Sequence, residues 1–186
     1  MSDRRMRTFI VYVENKPGVL SRVVSLFRRR AFNIDSLTVG RTEKADVSRM
    51  TIATEADPDQ ARRIVANIYK LVNVLLVDDL TGQTALLRDL VIAKVNAPLA
   101  VRHQVLGLAE VFRARVLDIA ADSIILELTG GEEKIDRLLE LLDPFGLLEV
   151  VRTGVVAMRR GAKSPSVATK QSAARVIHDD SVSQSV

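Results

Sequence analysis

The chain has 186 residues, 47% apolar, 27% charged and 4% aromatic, with no cysteine and a net charge of +4. That length supports one medium or two small packed domains, and the lack of cysteine excludes disulfides, thiolate nucleophiles and zinc–thiolate centres. The charge sits mostly at the end: residues 157–186 carry Arg159, Arg160, Lys163, Lys170 and Arg175 against Asp179 and Asp180, a net +3, so a near-neutral body gives little reason to expect nucleic-acid binding.

The opening "MSDRRMRTFIVYV" leads into a β-like run, and no apolar stretch approaches the roughly 18 to 20 residues that span a bilayer, so a cytoplasmic protein without membrane contact is expected. "TFIVYVE" from Thr8 to Glu14 is β-branched and aromatic, as a buried strand should be. Pro17 is expected at the first position of a helix, where its missing N–H costs nothing. Leu20, Val23, Val24, Phe27 and Ala31 supply its apolar stripe, and Arg22, Arg28, Arg29 and Arg30 its outer face. "NIDSLTVG" and "VSRMTIAT" read as a hairpin around "RTEKAD", with Met50 and Ile52 inward and Arg49 and Thr51 outward.

A second helix opens at "DPDQ", where Asp57 caps, Pro58 takes the first position and Gln60 completes a capping box. Ala61, Ile64, Val65, Ile68 and Leu71 form its stripe. "VNVLLVDDL" is a fourth strand and "TGQT" a linker. The same β-α-β-β-α-β order then recurs. "LLRDLVIAKV" is a strand, and a helix over "PLAVRHQVLGLAEVFRA" presents Val101, Val105, Leu108, Ala109 and Phe112. "RVLDIA" and "SIILELT" turn around Ala121 and Asp122. A helix entered through Gly130 and Gly131 carries Ile135, Leu138, Leu139 and Leu142, and "LLEVVRTGVVAM" closes the unit.

The expected fold is therefore α+β: two ferredoxin-like units over residues 6–81 and 86–161, followed by a Ser-rich disordered tail over 162–186. Helices on one sheet face leave the other face or an edge to be covered, so a homodimer or larger assembly is expected.

Asn15-Lys16-Pro17-Gly18 opens the first helix of one unit and Asn96-Ala97-Pro98-Leu99 that of the other. Counting equal intervals from each Asn sets Asn33 against Ala114. Only the first unit keeps both Asn and the Gly. Gly18 permits close backbone approach, and a helix start offers N–H groups to a carboxylate. Asn15 and Asn33 can both donate and accept, and Val19, Leu20 and Ile34 can form an apolar wall for a small aliphatic amino acid. An ordinary helix cap at Asn15 and a strand-entry role for Asn33 are the competing structural reading.

Through "VENKPGVLSRVVSLFRRRAFNIDSLTVGRTE", "SRMTI", "KLVNVLLVDDLT" and "RTGVVAMRRG", the chain resembles the regulatory small subunits of acetolactate synthase (acetohydroxyacid synthase), which begin with an ACT domain. The resemblance implies that two ACT domains pair and bind valine as feedback inhibitor between them. The matching positions are Asn15, Gly18, Val19 and Leu20 of one chain with Asn33 and Ile34 of the other. It implies also a separate catalytic subunit that holds thiamine diphosphate, Mg²⁺ and FAD, with no cofactor in this chain.

Rival readings are a stand-alone ACT-domain amino-acid sensor, an RNA-binding ferredoxin-like domain and an independent enzyme. The RNA reading lacks its stacking residues, since "SRMTIAT" has no aromatic. The enzyme reading lacks a catalytic set and a metal set. His103 lies on a polar helix side and His178 in the tail, while the neighbours Asp78-Asp79 and Glu132-Glu133 diverge as adjacent residues do. "NKPG" matches neither G-x-G-x-x-G nor a Walker loop, so no nucleotide cradle is expected.

Overall fold

β1 (Arg5–Glu14) is a central strand of the first sheet, and its alternation decides which side the helices cover. Phe9, Val11 and Val13 enter the core, where they meet Met50 and Ile52 of β3 (Val47–Ala56). β3 pairs antiparallel with β1, from Arg5 opposite Ala56 to Glu14 opposite Val47. β2 (Ser36–Arg41) borders β3 and β4 (Val74–Asp79) borders β1, which gives the order β2-β3-β1-β4. This is the order of a split β-α-β unit. The computed structural model describes residues 4–161, and the expected disordered tail lies outside them.

Helix α1 (Val19–Arg29) starts two residues later than Pro17 suggests. Pro17 and Gly18 form a turn, with Gly18 at φ 81° as the N-cap, so the helix cannot begin at the proline. This shift changes the buried face. Val19, Val23, Leu26 and Phe27 are buried, whereas the expected stripe members Leu20 and Val24 are exposed and Ala31 stands beyond the helix at φ 53°. Ala31 takes a left-handed conformation that lets Phe32 N–H reach Phe27 O at 3.0 Å, and the Phe32 ring meets Phe27 edge-on at 6.1 Å.

Helix α2 (Pro58–Ile68) begins as its sequence suggests. Gln60 N–H donates to Asp57 Oδ1 at 2.8 Å and Asp57 N–H to Gln60 Oε1 at 3.2 Å, a complete capping box. Ala61, Ile64 and Ile68 are buried, and Val65 and Leu71 pack on the same core. Thr51, read as outward, is 2% exposed and lies opposite the equally buried Ile10, so alternation placed it on the correct face but did not reveal that face as covered.

The second unit repeats the plan with β5 (Ala85–Asn96), α3 (Arg102–Phe112), β6 (Arg115–Ile119), β7 (Ser123–Gly130), α4 (Glu132–Leu142) and β8 (Leu147–Arg152). Its sheet runs β6-β7-β5-β8, and Val91, Val95, Ile124, Leu126, Leu128 and Leu138 are among its core residues. The closing run expected as one strand breaks at Thr153-Gly154 into β8 and β9 (Val156–Arg159), which also pairs with β5. Gly154 sits at φ 80°, a turn geometry that ends β8.

The described residues divide into two compact units, Leu86–Met158 forming one and residues 4–85 with 159–161 the other. Arg159 donates to Asp78 Oδ1 at 2.6 Å and Arg160 N–H to Thr84 O at 3.0 Å, both bonds lying within the first unit.

In the second unit Asp89, 3% exposed, accepts from Arg152 Nε at 2.9 Å and from Thr153 Oγ1 at 3.0 Å. Arg152 also donates to Asp136 of α4 at 2.7 Å, which ties β5, β8 and α4 together. Burial lowers the Arg152 pKa, but its bonds to Asp89 and Asp136 more than offset this and leave it above the ordinary arginine value. Truncating a buried charged acceptor strands its donors and costs about 2 to 3 kcal/mol, against about 1 kcal/mol for a lost helix cap. In urea denaturation Asp89→Ala is expected to destabilise the protein more than Asp57→Ala, and the reverse order would contradict this account.

Candidate functional site

The loop from Asn15 to Gly18 is held from below by its neighbours. Asn15 N–H donates to Asp46 O at 2.7 Å and its side-chain Nδ2 to Ala45 O at 3.1 Å, both in the β2–β3 turn. Asn15 Oδ1 has no partner among the described residues. Glu14 Oε2 accepts from Lys16 Nζ at 3.2 Å and from Asn73 Nδ2 at 2.6 Å, and Asn73 Oδ1 accepts from Arg22 Nη1 at 2.6 Å. Arg22, expected on a solvated face, is thus a strut between α1 and the loop before β4.

The start of α1 is left open. No side chain caps it and no acidic residue lies in its first turn, in contrast to the capping box of α2. The backbone N–H groups of Leu20 and Ser21, as members of that turn, have no intrahelical acceptor. Gly18 is required for its backbone, not for space, since a Cβ there would meet nothing within 4 Å, while its left-handed φ would strain any other residue. Gly18, Asn15 and Leu20 are all exposed.

At the other end of α1, Asn33 Nδ2 donates to Asp35 Oδ1 at 2.6 Å and Asn33 O accepts from Thr54 Oγ1 at 2.7 Å. Asp35 Oδ2 in turn takes the Glu55 N–H at 2.8 Å, so a carboxylate and a threonine clamp the entry to β2. Asn33 is exposed and Ile34 half-buried against the core.

These six residues do not converge within one chain. Eleven helical residues at about 1.5 Å each hold the two ends of α1 about 16 Å apart. The sheet separates them too: β1 and β2 both run antiparallel to β3, so Asn15, after the end of β1, and Asn33, before the start of β2, lie at opposite ends. Val19 turns its side chain into the core at 4% exposure, so only its backbone faces the loop. The positioning residues Glu14, Arg22, Asp35, Thr54 and Asn73 were missed by sequence reasoning, because their contacts join residues up to 59 positions apart.

Registers sharpen the internal comparison. Glu14 N–H bonds Asn73 O and Asn15 N–H bonds Asp46 O; in the second unit Asn96 N–H bonds Gly146 O and Ala97 N–H bonds Asp122 O. Asn96 therefore corresponds to Glu14, and Asn15 to Ala97. Ala31 and Arg113 are the matching left-handed residues after the helices, which sets Asn33 against Arg115 rather than Ala114. Neither Asn has a counterpart. In the second unit Arg102 donates to the carbonyls of Ala97, at 3.2 Å, Ala120, at 2.8 Å, and Ala121, and so stitches its own loop shut.

Among the described residues no group of three or more His, Cys, Asp or Glu is placed to hold a metal ion, and no helix is long and apolar enough to cross a membrane.

The chain is similar to known proteins along most of its length. Residues 9–76 match the family described as the AHAS small subunit-like ACT domain, and residues 88–161 match the small subunit of acetolactate synthase. A probable acetolactate synthase small subunit of Archaeoglobus fulgidus is 46% identical over 156 residues, 84% of this chain and 98% of that protein. The small subunit of Mycobacterium leprae is 44% identical over 84% of this chain and 92% of its own length, and that of Bacillus subtilis 38% identical over 88% and 96%. The crystal structure of the acetolactate synthase small subunit from Thermotoga maritima superposes with a TM-score of 0.79 at 34% identity, covering 86% of this chain and 99% of that one. With two ferredoxin-like units matched along their length, the chain belongs to the acetolactate synthase small-subunit family.

Proposed function

We propose that this chain activates a separate acetolactate synthase catalytic subunit in the cytoplasm and makes it sensitive to valine, which binds between two copies of the first unit. The observation that carries the siting is the separation of Asn15 and Asn33 at opposite ends of α1. Each sits in a held, exposed loop, yet one amino acid cannot touch both in one chain.

A two-fold dimer removes that obstacle. β2 is the border strand of its sheet. Set antiparallel against its own copy, the start of one β2 lies beside the end of the other, which is the sheet end where the partner's Asn15 loop stands. Symmetry creates two such sites. The valine carboxylate meets the uncapped first turn of α1, its ammonium meets the outward Oδ1 of Asn15 and of Asn33, and its side chain lies against Leu20 and Ile34. Gly18 keeps the approach to the backbone open.

The chemistry then belongs to the catalytic subunit, with thiamine diphosphate, Mg²⁺ and FAD, which joins two pyruvates or pyruvate with 2-oxobutyrate. This chain acts through linkage: valine lowers activity by binding one arrangement of the dimer more tightly than another, and a coupling of about 1 to 3 kcal/mol is enough for clear inhibition. Partner contact is supported by apolar exposure in the second unit. Val116, Leu117 and Ile119 are exposed along border strand β6, and Leu148 and Val151 on β8.

Mixed dimers test the siting. An Asn15→Ala chain refolded with an Asn33→Ala chain is expected to recover about a quarter of the wild-type valine sites by calorimetry, because half the dimers are mixed and each mixed dimer holds one intact site. Each variant alone is expected to bind weakly, and a mixture no better than either parent would place both residues within one chain. With the catalytic subunit added, the same mixture reports whether bound valine inhibits.

Leu20→Ala separates binding from folding. Leu20 is 41% exposed, so its loss is expected to leave unfolding free energy within about 0.5 kcal/mol of wild type. Valine affinity is expected to fall about fivefold through lost apolar contact. Unchanged affinity would remove Leu20 from the wall of the site.

A further inference from the structure

The first unit carries a second feature that the valine reading leaves unused. Arg7 occupies an inward position of β1, in step with Phe9, Val11 and Val13, where the pattern calls for an apolar residue. It is 6% exposed. Its Nε donates to Ala56 O at 3.3 Å, and its Nη2 is the one buried side-chain nitrogen or oxygen without a hydrogen-bond partner among the described residues. A guanidinium taken out of water and left with an unused donor is costly, which calls for a ligand or another compensation.

Arg7 lines an open cleft of about 410 Å³ beside the first turns of α2. Pro58, Ala61, Val65 and Ala66 give the cleft an apolar side. Asp79 is its acidic member. It pairs with Phe9 across the β1–β4 ladder, which puts it on the same sheet face as Arg7 and diagonal to it, about 7 to 8 Å away by strand geometry. One Asp79 oxygen accepts the Thr81 N–H at 2.9 Å. Arg62, ion-paired with Asp59, stands at the rim and is mostly exposed.

We propose that this cleft binds a small aliphatic α-amino acid. Its carboxylate takes the unused Arg7 donor, its ammonium takes Asp79 and its side chain lies along Ala61, Val65 and Pro58. A simple carboxylate or phosphate would be repelled by Asp79, and a simple amine would leave Arg7 unsatisfied; a zwitterion satisfies both. The cleft is built by β1, β4 and α2 of one chain, so it does not depend on dimer pairing or on the loops at the ends of α1.

The test uses the full chain carrying Asn15→Ala and Asn33→Ala, so that binding at the α1 loops does not confuse the result. Leucine is the probe, followed by backbone amide shifts in heteronuclear NMR. Saturable shifts at Arg7, Ala61, Val65 and Ala66 are expected. Adding Arg7→Gln is expected to weaken them at least about tenfold, and so is Ala66→Leu, which narrows the exposed side of the cleft without touching the core. Isovalerate and isoamylamine, which carry the two charges separately, are expected to bind at least about tenfold more weakly than leucine. No shifts at these residues up to about 10 mM leucine would overturn the proposal. Isovalerate binding as well as leucine would overturn it too, since Asp79 would then have no part. Failure of the valine site would appear instead in the mixed-dimer experiment and leave this one unchanged.

Discussion

A helix is a rod, and the first unit is organised around the fact that α1 cannot bend its two ends together. Val19, Val23, Leu26 and Phe27 fix its rotation against the sheet, and left-handed residues, Gly18 before it and Ala31 after it, turn the chain sharply at each end. The loops are each anchored by side-chain hydrogen bonds. The strut from Arg22 through Asn73 to Glu14 fixes one end, and Asp35 with Thr54 fixes the other. Polar residues in such positions are presented at the two ends of a helix about 16 Å long, a separation that suits shared sites in a symmetric pair better than a pocket within one chain.

The second unit shows what the same scaffold looks like without that arrangement. Ala97 and Arg115 stand where Asn15 and Asn33 stand in the first, and Arg102 occupies the loop carbonyls with its own guanidinium. Its polar investment lies instead in the Asp89–Arg152–Asp136 network, which joins two strands and a helix. The two units thus share a core pattern and differ in their polar residues. Core positions answer to packing, which both copies share, while loop residues answer to whatever each copy meets.

Much of the architecture was legible in the sequence because it follows from local physics. The strand and helix order, the capping box at Asp57 and the inward set of α4 all came from periodicity and caps that act within a few residues. Errors arose where a local signal had two outcomes. Pro17 suits a first helical position and also a preceding turn, and Gly18 at positive φ decided for the turn, which moved the helix by two residues and exchanged Leu20 and Val24 for Val19 and Leu26 on the buried side. The break at Gly154 and the strut through Asn73 depended on contacts across the fold. Counting intervals set Asn96 against Asn15, and only the strand registers showed the offset of one.

The contrast between α1 and α2 links fold to regulation. α2 satisfies its first turn with its own Asp57 and Gln60, so its start is complete in every state of the protein. α1 has neither cap nor acidic residue there, and forgoes about 1 kcal/mol that a capping side chain would contribute. Under the proposed function that deficit is what a bound carboxylate makes good. Under that same proposal Asn33 and Ile34 come from the other chain, so the ligand would be held fully only when the two chains are correctly placed. An uncapped helix completed across a boundary between chains would, under the proposed function, convert amino-acid concentration into a preference for one quaternary arrangement. A capped helix would bind less and a ligand enclosed by one chain would report nothing about its partner, so under the proposed function the open turn and the divided site are needed together.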